Sequence, residues 1–256
     1  MKHSIRWLVR FLAVFVALLS GPLMMAACSS VQTGQNWYDA DRSSAGIAPL
    51  PAQTREAIVQ VYAARAFGWR GYFAVHTWIA SKAEDAPQYT VYDVTGWGAT
   101  TVRMRPDLPD RAWYGNQPRL LADIRGEKAI RLIPQIQAAV QDYPYPDYYR
   151  AWPGPNSNTF VAWVIREVPD LQVALPNIAI GKDYLPGEWI AGAPSGSGFQ
   201  VSLQGYAGIL ASVHEGLELN LLGLSVGINP MSLGVKLPGV GELNALAPWM
   251  ESPRDN

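Results

Sequence analysis

The sequence predicts an α+β domain: an antiparallel sheet with two main helices, followed by a Gly-rich C-terminal β meander. Three observations carry that reading. Runs rich in β-branched and aromatic residues follow one another at hairpin spacing across residues 57–95. Two apolar runs of helical character occupy 126–143 and 156–168. Strand-like segments separated by Gly or Asn-Pro fill 199–237.

The chain begins with a leader. Lys2, His3, Arg6 and Arg10 form a basic stretch, and FLAVFVALL at 11–19 is an apolar core that Ser20-Gly21-Pro22 is expected to break. A core that short does not cross ~30 Å of hydrocarbon, which favours a signal peptide over a permanent anchor. Met25-Ala26-Ala27-Cys28 resembles a bacterial lipoprotein cleavage site, with Met25 where that pattern has Leu. The resemblance implies a signal peptide over 1–27 and acylation of Cys28, hence a firm membrane attachment. Ser29 is not the Asp that retains such proteins at the inner membrane, so the outer membrane is the favoured address in a host with two membranes.

Residues 28–54 then read as the lipidated Cys and a polar, Pro-containing tether, at most ~90 Å long when extended. A single α+β domain with a C-terminal β extension is expected over 55–256. Strands are expected at 57–66, 72–82 and 89–95, with short additions at 102–105 and 119–124. GEKAIRLIPQIQAAVQDY at 126–143 is the clearest helix. Ile130, Ile133, Ile136, Ala139 and Val140 recur on one face, and Pro134 implies a kink or a later start. Tyr- and Pro-rich 143–155 reads as a rigid loop packed on the core or, alternatively, as a wall of a binding groove that its prolines hold still. Residues 171–198 read as irregular, SGSG at 195–198 as a flexible turn, and His214-Glu215 as a surface pair at a turn.

Composition excludes several classes. Twenty basic against 21 acidic residues give a net charge of -1, so no field recruits a nucleic acid. The one Cys lies in the leader, so no disulfide closes within the chain. Only His76 and His214 remain outside the leader, and no metal-binding spacing contains them, so neither a metal nor another cofactor is expected.

One stretch reads as a chemical site. WPGPNSNTFVAWVIREVP, 152–169, brings a Pro-Gly-Pro turn into Asn156-Ser157-Asn158-Thr159 and then a helix. Ser157 thereby stands at a helix N-terminus, where free N–H groups favour negative charge. His76 lies mid-strand in AVHTWI, on the face of Ala74 and Trp78. Asn and Ser are equally the preferred capping residues, and a strand His is equally a core residue with its ring nitrogens satisfied.

NSNTFV and AVHTWI resemble the helix start and the His strand of the permuted papain-like, lecithin:retinol acyltransferase-like group. That resemblance implies a permuted papain-like core with Ser157 in the place of the nucleophilic Cys, His76 as base, and Asp93 or Tyr92 orienting the His. A serine gains far less than a thiol from such a position, so thiol chemistry does not transfer. The HTW strand, YPYP…WPGPNSNTF and a Gly-rich end closing on KLPG also resemble a bacterial envelope family of unknown function across most of 55–245.

The expected function is therefore an uncharacterised bacterial envelope lipoprotein, a non-catalytic or ligand-binding papain-like scaffold. Its expected partners are the membrane, through lipidated Cys28, and an envelope small molecule or peptide. One alternative is an envelope amide or ester hydrolase or acyltransferase with Ser157 as nucleophile, His76 as general base and the 156–160 N–H groups as oxyanion donors. The other is a structural protein whose C-terminal sheet contacts a partner or the membrane, which an exposed apolar patch over 199–237 would favour.

Overall fold

The structure, a computed structural model, describes residues 2–28, 31–34, 36–98 and 100–244. Ser29 and the expected domain's last residues, 245–256, lie outside the described residues. The architecture is α+β: among the described residues there are antiparallel sheets, three α-helices and a C-terminal strand meander.

The leader corrects one expectation. Helix α1, Lys2–Cys28, runs straight through Ser20-Gly21 with Pro22 inside it, and Ile5–Cys28 is long and apolar enough to cross a membrane by length and composition. Ala17, Leu18 and Leu19 before Pro22 and Leu23 to Ala27 after it are strong helix formers and sustain the helix past the lost hydrogen bond. A signal sequence and an anchor share these properties. Its C-terminal part meets the body: a Cβ on Gly21 would overlap the Pro238 carbonyl, and one on Gly239 would press on Pro22.

The segment after α1 is also less free than a tether. The buried Asp110 carboxylate accepts hydrogen bonds from Ser44 Oγ at 2.8 Å and from the Ile47 and Ala48 amides at 2.6 and 3.0 Å. Ser44 also bridges to Arg111. A buried carboxylate needs such donors, and this stretch supplies them.

Strands β1 (Ile58–Arg65), β2 (Val75–Lys82), β3 (Thr90–Val94), β4 (Val102–Pro106) and β5 (Arg119–Arg125) form a five-stranded antiparallel sheet in the order β4-β3-β2-β1-β5. Helices α2 (Glu127–Gln141) and α3 (Ser157–Glu167) cover one face. The main core lies there: Val59, Val61, Val75, Ile79, Tyr92 and Val94 meet Leu132, Ile136, Phe160, Val161, Val164 and Ile165. In α2 the helix continues through Pro134, and its buried stripe is Ala129, Leu132, Ile136, Ala139 and Val140. Ile136, Ala139 and Val140 are buried as expected, but in the first turns Ala129 and Leu132 face the core, so Ile130, expected inside, is exposed. The opposite face of the sheet holds a smaller cluster of Tyr62, Ala64, Trp78, Ala80 and Val91 under Trp113.

The C-terminal region is a seven-stranded antiparallel meander: β6 (Ile190–Gly192), β7 (Gly198–Ser202), β8 (Ala207–Ser212), β9 (Gly216–Leu221), β10 (Leu224–Asn229), β11 (Gly234–Leu237) and β12 (Gly241–Asn244). β6 falls in a stretch read as irregular, and β12 lies beyond the expected strands. Glu215, expected at the surface, is buried and accepts from Ser195 N at 2.8 Å and from the Ser195 and Ser212 hydroxyls. His214 beside it is exposed.

Candidate functional site

The N-terminus of α3 is built as a cap. Asn156 Oδ1 accepts from the amides of Asn158 and Thr159 at 2.9 and 3.2 Å, and Thr159 Oγ1 accepts from the Asn156 amide at 3.1 Å. The Phe160 amide bonds the Asn156 carbonyl. Four of the N–H groups proposed as oxyanion donors are thus already engaged within the helix start. Asn156 Nδ2 reaches the carbonyls of Ala151 and Ile180, both at 3.0 Å. Gly181 packs so closely on this amide that a Cβ would overlap it, at a φ of +107° that also favours glycine.

Asn158 ties the helix to the sheet. Its Oδ1 accepts from Thr77 Oγ1 at 2.9 Å, and its Nδ2 donates to Val75 O at 2.9 Å and Ile180 O at 2.8 Å. Successive side chains on a strand alternate faces. Thr77 therefore points at α3, and His76 points away from it, among Trp78 and Trp113. The structure does not bring Ser157 and His76 together, because the sheet stands between them.

His76 lies flat on Trp113, with ring centroids 3.6 Å apart at 8°. Its Nε2 is buried without a hydrogen-bond partner among the described residues. Burial first, and then the charges of Arg103 and Arg105, push the imidazole well below the ordinary histidine range, so it stays neutral. Asp93 shares this face but serves arginines: Arg103 Nε donates at 3.0 Å, Arg103 Nη2 at 2.5 Å and Arg105 Nη1 at 2.8 Å. Tyr92 lies on the α3 side and bonds Ser81 at 2.9 Å. Neither orients His76. Cys28 ends α1, exposed.

A second feature lies in the seven-stranded sheet, which is inverted. Its covered face is polar. In β9, Glu218 and Asn220 are buried, while Leu217, Leu219 and Leu221 are exposed. Glu218 sits between two ammonium groups, 2.7 Å from Lys182 Nζ and 2.6 Å from Lys236 Nζ, with Lys182 also 3.1 Å from Asp183. Asn220 Nδ2 donates to Asp183 Oδ2 at 3.0 Å, and Gln200 also bonds Asp183. Glycines 208 and 227 on this side bring the backbones close, since a Cβ on either would overlap a neighbouring carbonyl.

The uncovered face is apolar and, Phe199 apart, aliphatic in its two central rows. The register aligns one row as Phe199, Ala211, Leu217, Ile228, Val235 and Leu243, from β7 to β12. A second row aligns Ile190, Val201, Ile209, Leu219 and Val226. Neither row contains a charge. At ~4.8 Å between strands, the sheet is roughly 29 Å wide. Exposed Trp152, Trp189 and Tyr206 lie at its margin, and Trp152 meets Tyr206 edge to face at 5.3 Å.

Sequence reasoning missed two arrangements. One is the arginine group around Asp93, detectable in the alternation Arg103-x-Arg105 on a strand. The other is the polarity of the sheet: the alternation in LELNL was visible, but alternation alone does not say which face is covered. Comparison with known proteins gives one match, a family model described as "Protein of unknown function (DUF3750)", over residues 56–184. It spans the five-stranded sheet, α2 and α3, and stops before β6. No curated protein and no solved structure matches.

Proposed function

The chain belongs to the DUF3750 family of proteins of unknown function, and from that premise we propose that it is a membrane-apposed, non-catalytic envelope protein whose C-terminal sheet lies on the bilayer. The carrying observation is the pair of uncharged apolar rows left in water by a sheet whose opposite face buries a Glu and two Lys. A water-exposed sheet is ordinarily polar outward and apolar inward. Each half-exposed leucine that leaves water gains on the order of 1 kcal/mol, and the rows act together.

Two features favour lipid over a protein partner. Protein interfaces are rich in polar and Arg contacts, whereas these rows are purely apolar, aliphatic but for Phe199, with Trp and Tyr at the margin, as at a membrane–water boundary. The apolar helix α1 also meets the β11–β12 turn of the same sheet, which puts a membrane-compatible segment at its edge. In this reading α1, or an acyl group on Cys28 after removal of 1–27, holds the protein to an envelope membrane, the outer one where there are two. The papain-like resemblance enters this reading as scaffold alone; the packing of α3 on β2, with the Thr77–Asn158 bond at their junction, supports it. The hydrolase alternative has no support from the placement of Ser157 and His76 across the sheet.

The test is depth in a bilayer. In a Cys28→Ser background, the full chain carries an environment-sensitive fluorophore on Leu219→Cys or, as control, on Lys128→Cys of α2. In phosphatidylglycerol-containing vesicles the probe at position 219 should shift blue and be quenched by lipid-borne quenchers, and the probe at 128 should not. Water-like emission at 219 rejects the proposal, and a blue shift without lipid quenching, with a dimer in sedimentation, assigns the face to a second copy instead.

A further inference from the structure

We infer that the outward face of the five-stranded sheet, away from α2 and α3, carries a binding site for a small organic oxyanion with a ring-bearing body. A cleft of about 280 Å³ opens there, lined by Arg42, Arg103, Arg105 and Arg111, by Asp93 and Asp107, and by Trp78, Trp113 and Tyr114. That volume lies near the lower end for small-molecule sites. Four guanidinium groups against two carboxylates leave a local excess of +2 (4 − 2), in a chain whose net charge is -1. The ion-pair network holds Arg103, Arg105 and Arg111 against Asp93 and Asp107, and Arg42 adds a guanidinium with no carboxylate partner among the described residues.

The carboxylates act here as scaffolding. Asp93 holds Arg103 and Arg105, and Asp107 holds Arg105 at 3.1 Å and Arg111 at 2.5 Å. This fixes the planar forks before a ligand arrives, which lowers the entropy cost of binding. Arg103 Nη1 and Arg105 Nε have no acceptor among the described residues, and a carboxylate or phosphate ester is the acceptor that guanidinium geometry matches best. Arg42 closes the cleft from the segment before the sheet, 4.5 Å over the Tyr114 ring. Trp78 and Trp113 supply aromatic walls, their centroids 6.0 Å apart at 27°. Behind Trp113, neutral His76 stacks on the indole and fixes its plane without adding a charge.

The full chain is titrated with phenyl phosphate and with benzoate, which separate a phosphate from a carboxylate preference, with inorganic phosphate and phenol as the component probes. Calorimetry and tryptophan emission are the readouts. At least one ring-bearing anion should bind saturably with a submillimolar Kd, about tenfold tighter than inorganic phosphate, and phenol should not bind. Arg42→Gln breaks no carboxylate pair and should weaken binding about tenfold, with an unchanged melting temperature. Asp107→Asn releases the Arg105 and Arg111 forks from their shared scaffold and should weaken binding several-fold. No saturable binding by either ring-bearing anion up to about 10 mM, or an affinity that neither variant moves, overturns the site. The vesicle measurement on the other sheet is independent of both results.

Discussion

The Thr77 hydroxyl donates to Asn158 Oδ1 at 2.9 Å, from the face of β2 that His76 does not share. That bond ties the start of α3 to the middle of β2, and it makes the junction structural. Asn158→Leu would leave Val75 O without its side-chain donor, Ile180 O with only that of Asn156, and Thr77 Oγ1 without its acceptor, in a buried setting. The expected loss is about 2–4 kcal/mol in urea unfolding, whereas Ser157→Ala should stay within about 1 kcal/mol. Equal losses from the two substitutions would refute this division of labour.

The α+β class, the two main helices, the cap at Asn156 and most strands were legible, because period, punctuation and capping are local properties. The phase of β2 was legible too, since alternation separates His76 from Thr77. Which face α3 would cover was not, because that depends on the packing of residues some 80 positions apart. The same gap governs β9. LELNL announces a strand with two unlike faces, and ordinary burial puts the leucines inside. Lys182 and Lys236, from distant parts of the chain, instead supply countercharges that let Glu218 be the buried residue. Pairing at that sequence distance leaves no local pattern.

His76 makes an acid-dependent contribution that follows from its lowered pKa. Burial and the Arg103 and Arg105 charges depress the folded-state pKa below the unfolded value near 6.5, so the unfolded chain takes the proton first. Stability should therefore fall as pH drops below about 6.5, by up to about 1.4 kcal/mol per pH unit for one such group. His76→Phe keeps a ring on Trp113 and should flatten the curve between pH 6.5 and 5. A His76 proton resonance titrating near 6.5 in the folded protein would contradict the premise.

Gly181 is the residue that lets Asn156 cap α3. A Cβ at 181 would overlap the Asn156 amide, and the +107° φ is strained for any other residue. Gly181→Ala should cost about 2–4 kcal/mol by combining lost capping with backbone strain. Gly187→Ala, also at positive φ but in open space, isolates the strain component and should cost about 1 kcal/mol. Similar melting temperatures for the two variants would mean that the cap is not what Gly181 serves.

Glu218 ties the polar side of the inverted sheet together, and its titration marks the condition under which that sheet fails. Burial would raise its carboxyl, but Lys182 and Lys236 outweigh burial and hold it below the ordinary value of 4.5. A depressed folded pKa gives stability that is present above the unfolded value and lost as pH falls through the folded one. The acid limb of this group therefore lies below pH 4.5, distinct from that of His76. Glu218→Gln removes the carboxylate that two buried ammonium groups share, leaving Lys182 to Asp183 and Lys236 to Glu242, so it should destabilise the chain by about 3 kcal/mol at pH 7 and remove that limb. The triple substitution Val201→Glu, Leu219→Glu, Ile228→Glu acts on the other side of the same strands. It should leave urea unfolding within about 1–2 kcal/mol, because these side chains already face water. It should also abolish lipid quenching at a probe on Leu217→Cys. Retained quenching with an intact fold would show that the apolar rows are not what meets the bilayer.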